Sequence, residues 1–438
     1  MSAALTFPSD FVFGVATSAY QVEGGIENDW SAWERAGKLH DPNARCGRAC
    51  GHWERFFDDI ALIERVGATA YRFSIEWARV EPELGRWDDA AWAGYRARAE
   101  ALVKAGIRPV VTLHHFTHPA WFHAETPWTG PDCLPAWRRY VERCAEVLEG
   151  LDVAIITLNE PNVFLMGGYL AGLMPPGLKD GRALFAATAN LVRAHVLARE
   201  AFSSRAKGRP LTLGISQHLQ VFAPHRRWHP LDQALTRLAE RNFNHAMLEA
   251  LTTGTLALQM PGLAVGKTRI DGAERSQDFL GLNYYTRSHL KFLAGPPFVS
   301  FSFRDAHARG LTDIGWEYYP EGFGFVLGQA KRYGLPIWVT ENGLDDRTGE
   351  RRSRFLFDHW KVLLEAMAQG AKVTHYLHWS LMDNFEWLEA YGPRFGLYRV
   401  DFDTLERSET PACGYFRAVA TGRQLVAPER LARPASDR

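Results

Sequence analysis

The chain is built from two kinds of segment that recur in alternation. Short apolar runs bounded by turn residues predict strands that are buried on both faces, as in a parallel sheet. Residues 337–340, within the stretch 336–343 (Pro-Ile-Trp-Val-Thr-Glu-Asn-Gly), form the clearest such run. Longer segments with apolar residues three and four positions apart predict amphipathic helices. Residues 52–66 are typical, with Phe56, Ile60, Ile63 and Val66 on one face.

The same two patterns predict strands and helices in a repeated order. The predicted strands are residues 11–18, 69–77, 108–116, 153–158, 211–216, 278–286, 337–340 and 373–380. The predicted helices are residues 52–66, 88–105, 135–148, 182–202, 231–251, 322–333 and 353–369, with a terminal helical segment near 414–420. Residues 21–24 are predicted to form a loop after the first strand. Residues 261–276 are polar and irregular, and we interpret them as an insertion rather than a domain boundary.

Eight strand–helix units in a chain of this size predict a single (β/α)₈ TIM barrel that spans residues 1–438 as one domain. No linker rich in glycine, proline or serine divides the chain. A doubly wound open sheet is the alternative. No Gly-x-Gly-x-x-Gly pattern follows the first predicted strand, which weighs against the dinucleotide-binding form of that fold.

Polar or aromatic residues lie at or just after almost every predicted strand, and a barrel brings the carboxyl ends of its strands to one face. These residues are Gln21, Arg72, His115, Asn159, Glu160, Asn283, Tyr285, Glu341, Trp379, Glu386 and Trp387. Each also has a structural interpretation: Arg72 as a buried ion-pair partner, His115 as a hydrogen-bonded core residue, Trp379 as a core ring. An active site is favoured because the structural interpretation requires the same coincidence at nearly every strand.

Glu160 and Glu341 are the most informative pair, since they follow the fourth and seventh predicted strands. Two carboxylates that face each other across a barrel mouth are the minimal machinery for glycoside hydrolysis. No Gly-x-Ser-x-Gly elbow and no clear set of metal ligands accompanies them, so serine and metal chemistry are disfavoured. The pair therefore predicts a glycoside hydrolase that needs no metal or organic cofactor.

Composition and charge narrow the range of partners. The 50 basic residues balance the 50 acidic residues, which gives no indication of a nucleic-acid or membrane-surface partner. The 15 tryptophans suit a sugar-binding cleft as well as a core. Residues 1–13 lack a signal-peptide pattern, and no apolar run approaches the roughly 20 residues of a membrane span. We expect a small-molecule substrate and a cytoplasmic location.

The five cysteines do not predict a disulfide framework, because their number is odd and they are scattered along the chain. Cys46, Cys50 and His52 are spaced closely enough to be considered as metal ligands. No second pair of ligands completes such a site, so a metal there is the less favoured interpretation.

Several sequence motifs resemble those of one known family. Residues 157–161 (Thr-Leu-Asn-Glu-Pro) and 339–343 (Val-Thr-Glu-Asn-Gly) are similar to the acid/base and nucleophile motifs of glycoside hydrolase family 1, the β-glucosidase family. Residues 13–24, 71–77, 282–286, 315–317 and 378–387 also match that family's motifs in order, so the resemblance covers nearly the whole chain.

The resemblance implies an exo-acting, retaining β-glycosidase of β-glucosidase type. It implies that Glu341 is the nucleophile and Glu160 the general acid/base. Arg72 and Tyr285 would contact Glu341, and Asn159 and Asn283 would lie beside the carboxylates, with Asn159 at the sugar 2-hydroxyl. The residues expected to bind the other hydroxyls are Gln21, His115, Glu386 and Trp387, with Trp379 stacked under the sugar and Trp316 beside the leaving-group site.

Two departures from the family pattern concern the shape of the sugar site. Phe116 stands after His115 where most relatives have tryptophan, so an indole N–H donor is missing. Gly51 precedes His52 where aspartate is common.

Three other functions share the family's motifs in whole or in part. A 6-phospho-β-glycosidase is disfavoured by Glu386, and a catalytically inactive sugar-binding barrel is disfavoured by the presence of both carboxylates. A transglycosylase is the third alternative.

Overall fold

Eight parallel strands close into a barrel in the structure, a computed structural model that describes residues 5–260, 262, 264–295 and 298–431. The barrel strands are Val12–Ala16, Ala70–Ser74, Arg108–His114, Ala154–Asn159, Leu213–His218, Leu280–Asn283, Ile337–Glu341 and Val373–Trp379. Each strand pairs with the strands before and after it in the chain, and the first closes the ring by pairing with the eighth. The predicted (β/α)₈ fold is confirmed.

Helices surround the barrel, and shorter helices lie within the connections that follow the strands at its mouth. The α-helices are Ala19–Glu23, Asp29–Arg35, His52–Arg65, Trp77–Val80, Asp89–Lys104, Ala120–Glu125, Cys133–Val147, Pro161–Leu165, Gly181–Arg205, Pro230–Ala239, Ala246–Thr253, Pro320–Ala330, Arg352–Ala368, Pro411–Gly422 and Pro428–Leu431. Short 3₁₀ helices span Lys331–Tyr333 and Trp387–Glu389, and π-helical segments span Met166–Ala171 and Glu240–His245. Among the described helices, none has an apolar stretch long enough to cross a membrane.

Three small sheets accompany the barrel. Val221–Pro224, Arg287–Phe292 and Val299–Ser302 form a three-stranded sheet with Arg287–Phe292 in the centre. Thr255–Met260 pairs with Ala264–Arg269, and Tyr398–Val400 pairs with Arg407–Glu409, both antiparallel.

Several predicted boundaries near the barrel mouth were wrong, including the following three. Gln21 lies on the helix Ala19–Glu23, all of which is buried, rather than in a loop. The second strand ends at Ser74, and the chain turns into the helix Trp77–Val80, where Trp77 stacks on Tyr140 with 4.7 Å between ring centroids. The sixth strand ends at Asn283, so Tyr285 lies beyond it and its ring is free to reach the mouth.

Two predictions for the long excursion after the fifth strand also need correction. The single helix predicted at 231–251 contains the π-helical segment Glu240–His245, where Asn242 bonds the backbone of Gln259 on the neighbouring strand. The irregular segment predicted at 261–276 includes the strand Ala264–Arg269; Pro261 is outside the described residues. This strand forms because Thr255–Met260 offers it a backbone ladder while burying Leu256 and Leu258 on one face.

Side chains along the barrel strands alternate between two apolar clusters, as the two-residue period of a strand requires. Ala70 and Leu377 belong to the cluster that fills the barrel. Their sequence neighbours Tyr71 and Tyr376 belong to the larger cluster shared with the surrounding helices, which includes Trp360. The packed interior supports the polar layer at the mouth.

This alternation is broken just before Glu341. Trp338 belongs to the interior cluster and Val339 to the outer cluster, so strict alternation would direct Glu341 outward with Val339. The pairing with the sixth strand shifts register between Val339 and Glu341. As a result, Glu341 points into the mouth and contacts Arg72. Register irregularities of this kind re-aim side chains next to functional sites.

The fourth strand has a second irregularity at the equivalent place. Ile156 belongs to the interior cluster, and Thr157 bonds His195 on the surrounding helix Gly181–Arg205. The pairing with the fifth strand shifts between Ile156 and Asn159. Asn159 therefore faces the interior, where its side-chain oxygen accepts a hydrogen bond from Arg72. Both carboxylate-bearing strands thus use a register shift to direct polar groups into the mouth.

Candidate active site

Glu341 ends the seventh strand in a buried pocket of donors. The Arg72 guanidinium donates to Glu341 Oε1 at 2.5 Å, and the Tyr285 hydroxyl donates to Oε2 at 2.7 Å. Arg72 is completely buried on the second strand and is held by Thr112 and the Thr340 carbonyl. Each oxygen of Glu341 therefore has its own donor, one of them permanently charged, which favours a carboxylate there.

Glu160 follows the fourth strand and precedes the helix Pro161–Leu165. Its backbone has φ 42° and ψ 53°, the left-handed region, which is uncommon for a residue with a β-carbon and recurs at functional sites. Asn283 Nδ2 donates to Glu160 Oε1 at 2.9 Å, and His218 Nδ1 lies 3.0 Å from the same oxygen. In the described structure no protein donor reaches Oε2, so this oxygen is available to a ligand.

Two amide side chains connect the carboxyl groups. Asn283 Nδ2 also donates to Asn159 Oδ1, which accepts from Arg72 at 2.6 Å. The hydroxyls of Ser216 and Thr340 both donate to Asn283 Oδ1, so the orientation of that amide is fixed. A continuous hydrogen-bond chain therefore runs from Glu160 to Glu341 through Asn283, Asn159 and Arg72.

His115 and Asn159 form a further pair with defined donors. Because Asn159 Oδ1 accepts from Arg72, its amide nitrogen faces His115 Nε2 at 3.2 Å. Burial and the Arg72 charge lower the pKa of His115 well below its ordinary value, so the ring is neutral. Nε2 then accepts and Nδ1 carries the proton. Nδ1 is buried and has no protein partner, which leaves a donor for a ligand hydroxyl.

Another group of polar contacts at the mouth is centred on Glu386, which Gln21 and Trp379 approach. The Trp379 indole N–H donates to Glu386 Oε1 at 3.1 Å, and Gln21 Nε2 lies 3.4 Å from Oε2. Burial raises the pKa of Glu386 to about 8, with the charge of Glu341 acting in the same direction. The group is therefore largely protonated near neutral pH, able to donate as well as accept hydrogen bonds.

Aromatic rings complete the walls. His115 lies parallel to Trp379 and to Trp387, with centroid separations of 5.9 and 6.1 Å. Phe116 packs against Trp387 at 5.1 Å. Trp316 lies 5.6 Å from the Tyr285 ring. These rings offer apolar faces of the kind that cover the axial hydrogens of a pyranose.

The structure thus brings every residue expected from the sequence to one mouth. The sequence analysis missed His218, which touches Glu160, and the two hydroxyls of Ser216 and Thr340. The fifth predicted strand ended at Ser216, whereas the observed strand continues to His218. A histidine at the end of that strand was the signal, since the other strand ends had already supplied polar residues to the mouth.

The two carboxyl groups titrate as a pair, because the charge of each opposes ionisation of the other. Burial raises the pKa of Glu341 to about 7, with Glu160 adding to the rise and Arg72 and Tyr285 opposing it. At Glu160 burial also opposes ionisation, but His218, Asn283 and Arg72 together hold its pKa below the ordinary value. Near neutral pH the pair therefore holds at most one proton. The Tyr285 hydroxyl stays protonated, because burial and both carboxylates raise its pKa well above the usual range.

The comparison with known proteins decides the family. The profile of glycosyl hydrolase family 1 matches residues 3–425. The chain belongs to glycosyl hydrolase family 1. Beta-glucosidase A from Thermotoga maritima is 33% identical to this family 1 chain over 428 residues, which cover 92% of this chain and 94% of that relative.

Solved structures of glycosidases agree with the fold. A beta-glycosidase from Pyrococcus horikoshii superposes with a TM-score of 0.89 at 35% identity and covers 99% of this chain and 100% of its own. A beta-glucosidase from Thermotoga maritima in complex with deoxynojirimycin gives a TM-score of 0.84 at 29% identity over 96% and 100% of the two chains. This family 1 chain is accordingly a glycoside hydrolase, a β-glycosidase.

A cluster of three side chains away from the carboxyl pair of this family 1 enzyme has the composition of a metal site. In the part of the chain that the structure describes, Asp29, His118 and His123 bring three ligand atoms together. His118 Nε2 accepts the indole N–H of Trp128 at 2.7 Å, so its proton lies on Nδ1 and is donated to Asp29. Because Nδ1 has no free lone pair, the geometry fits a hydrogen-bonded cluster better than a metal centre.

Other contacts also account for Cys46, Cys50 and His52, which the sequence offered as possible metal ligands. Both thiols donate to backbone carbonyls, of Tyr20 and Asp383 respectively. Both nitrogens of His52 are engaged, Nδ1 with Asp59 and Nε2 with the Tyr71 hydroxyl. The five cysteines are free thiols.

Gly343 allows the end of the seventh strand to approach the eighth. A β-carbon at this position would overlap the carbonyl oxygen of Trp379. We expect Gly343→Ala to cost about 1 to 3 kcal/mol of unfolding free energy, as overpacking does, and to lower kcat/KM because Glu341 is two residues away. Urea denaturation and steady-state kinetics test this.

Gly328→Ala is the matched control, because Gly328 lies inside the helix Pro320–Ala330 with open space around it. Alanine in a helix interior should stabilise the protein by roughly 0.5 to 1 kcal/mol and leave kinetics unchanged. Equal stability and activity in Gly343→Ala and the wild type would contradict the close approach.

Proposed function

We propose that this family 1 enzyme is a retaining, exo-acting β-glycosidase of β-glucosidase type, with Glu341 as nucleophile and Glu160 as general acid/base. One observation carries the assignment. Arg72, a permanent cation, and the Tyr285 hydroxyl both bind Glu341, whereas the donors on Glu160 converge on a single oxygen and leave the other free.

The reacting form carries the shared proton on Glu160 and the charge on Glu341. Burial weakens the acidity of Glu341 in the empty site. Only this distribution, however, places an anion against both Arg72 and Tyr285 and an O–H beside a ligand. Glu341 then attacks the anomeric carbon while Glu160 protonates the departing oxygen, so the C1–O bond to the leaving group breaks as the C1–Glu341 bond forms.

The second step reverses the roles of acid and base. Bonding to the sugar removes the charge of Glu341, and with it the repulsion that opposes ionisation of Glu160. Glu160, now a carboxylate, takes a proton from water, and the resulting hydroxide displaces Glu341 from C1. Two inversions at C1 give net retention. No step requires a metal or a cofactor.

The remaining polar groups are proposed to bind the nonreducing sugar. Asn159 would meet the 2-hydroxyl, the free Nδ1–H of His115 another hydroxyl, and Gln21 and Glu386 the 4-hydroxyl region. Trp379 and Trp387 would provide the stacking surface and a further donor, and Trp316 would border the leaving group. A relative that binds deoxynojirimycin supports a monosaccharide-sized ligand. The substrate would be a small β-glycoside or oligosaccharide.

A phosphorylated sugar is disfavoured at Glu386. Neither Gln21 nor Trp379, the side chains that contact Glu386, carries a positive charge. A phosphate dianion there would lose its hydration without gaining a cation, which is costly in a buried site. This argument does not depend on whether Glu386 is ionised.

A panel of nitrophenyl β-glycosides with NMR of the first-formed sugar tests the proposal. We expect β-glucose as the first-formed anomer, activity on both glucosides and fucosides, and higher kcat/KM on glucosides than on 6-phosphoglucosides. An α-anomer formed first would overturn retention, and a preference for the 6-phosphoglucoside would overturn the substrate class. Boiled enzyme and the variants in the Discussion are the controls.

A further inference from the structure

His218 contacts Glu160 and has no role in the two steps of the proposed mechanism. Its Nδ1 lies 3.0 Å from Glu160 Oε1, and only 11% of its side chain is exposed. Its ring lies nearly parallel to that of Tyr285, 6.0 Å away at 21°, and Phe243 packs edge-on at 5.8 Å. His218 is therefore held against Glu160 by two rings, one of which belongs to the residue that binds Glu341.

The surroundings of His218 fix which nitrogen carries the proton. Nε2 is buried and has no hydrogen-bond partner in the described residues. A proton on Nε2 would be a buried N–H without an acceptor, which is costlier than an unused lone pair. Nδ1 therefore carries the proton and donates to Glu160 Oε1, which already accepts from Asn283.

Two donors on Oε1 have a consequence for the acid proton of Glu160. A proton on Oε1 would face the N–H groups of His218 and Asn283, a repulsive arrangement. A proton on Oε2 meets no protein donor and points to the open side. Each donor also stabilises the carboxylate form, which limits how strongly Glu160 holds its proton.

We propose that His218 is a positioning residue that, by donating from Nδ1 to Oε1 of Glu160, confines the acid proton to Oε2 and keeps it available for transfer to the leaving oxygen. The proposal rests on the proposed function of Glu160 as general acid. In that step the Oε2–H bond breaks, the proton goes to the glycosidic oxygen, and Glu160 becomes a carboxylate whose Oε1 is already solvated by His218 and Asn283.

Several other groups also influence the titration of Glu160, and the test must separate their effects from that of His218. Those that face the carboxyl pair from the neighbouring strands and loops are Arg72, His115, Tyr285, Glu341 and Glu386. A substitution at position 218 leaves these residues in place but removes the ring that lies against Tyr285. A variant that keeps an N–H at position 218 without the ring therefore separates the contact with Glu160 from the packing against Tyr285.

The experiment compares His218→Leu with the wild type over a pH range on two substrates. Loss of the donor should move the alkaline limb of kcat/KM upward by about one pH unit. For an alkyl β-glucoside, which needs protonation of its leaving oxygen, kcat/KM at neutral pH should fall by roughly 10-fold. For 2,4-dinitrophenyl β-glucoside, which needs none, it should stay within about threefold of wild type.

His218→Asn and Phe243→Leu complete the design. Asparagine can present an N–H close to the position of Nδ1, so His218→Asn should restore the alkaline limb and the alkyl-glucoside rate. Phe243→Leu loosens the packing beside the His218 ring without removing the donor, and it should leave the alkaline limb of the kcat/KM profile unchanged. Thermal denaturation of each variant shows whether it is folded.

The outcomes separate the proposal from the function on which it rests. Equal losses on both substrates with an unmoved alkaline limb in His218→Leu, or a His218→Asn enzyme that behaves like His218→Leu, would overturn the role of the donor. If His218→Leu does not fold, the folded His218→Asn enzyme is compared with the wild type instead. An unchanged alkaline limb of kcat/KM then supports the proposal, and a shifted alkaline limb overturns it. A wild-type enzyme that inverts configuration would overturn both the function and the proposal.

Discussion

Glu341→Ala is expected to be nearly inactive on every β-glycoside, with kcat lowered on the order of 10⁵-fold or more, as when other enzymes lose their nucleophile. The reason is that no covalent intermediate can form without this carboxylate. The loss should be independent of the leaving group, because the missing group attacks carbon and does not protonate oxygen. Steady-state rates on dinitrophenyl and alkyl glucosides measure both points.

Added azide provides a direct chemical test of the same variant. Removal of the Glu341 side chain leaves space beside Arg72 and Tyr285 on the face from which Glu341 attacks. Azide entering there should restore turnover and give an α-glycosyl azide, by a single inversion. Glu81→Gln is the control, since Glu81 is a buried carboxylate that contacts Trp77 and Arg139, outside the carboxyl pair; it should retain activity and ignore azide.

Glu160→Ala should show the opposite dependence on the leaving group. Acid assistance is worth roughly 10² to 10⁴-fold, or about 3 to 5 kcal/mol. An alkyl glucoside or cellobiose should lose that factor, whereas dinitrophenolate is stable as an anion and its first step should be largely preserved. The second step also lacks its base, so the glycosyl-enzyme should accumulate and appear as a burst followed by slow turnover.

Azide again reports the role of the missing residue. In Glu160→Ala it should attack the accumulated glycosyl-enzyme from the side where Glu160 stood and give a β-glycosyl azide. The two variants thus differ in the anomeric configuration of one product. A β-azide from Glu341→Ala together with leaving-group-dependent turnover would reverse the assignment of the two carboxylates.

Much of the fold was predictable because strand burial and helix amphipathicity are local patterns. Residues 337–340 and 52–66 were predicted to within a residue or two of the observed Ile337–Glu341 and His52–Arg65. Predictions failed where a tertiary contact sets the element. The turn after Ser74 leads to Trp77, which stacks on the remote Tyr140, and the strand Ala264–Arg269 depends on its pairing with Thr255–Met260.

The candidate site was predictable in its membership, since a parallel barrel carries residues at its strand ends to one face. His218 was not predicted as a site residue, because the predicted fifth strand ended at Ser216. The contacts between members were not predictable from strand patterns alone. That Arg72 reaches both Glu341 and Asn159 depends on side chains from three strands that are remote in sequence.

The sequence by itself determined the barrel and the family and indicated Glu160 and Glu341 as the candidate carboxylates, because period, motif and order are properties of the chain alone. The direction of those groups was decided by the tertiary structure. Alternation from Trp338 would turn Glu341 away from the mouth, and the same pattern from Ile156 would turn Asn159 away. Register shifts against neighbouring strands reverse both. Such shifts depend on how two strands pair, and pairing is settled only when the barrel closes and its interior packs.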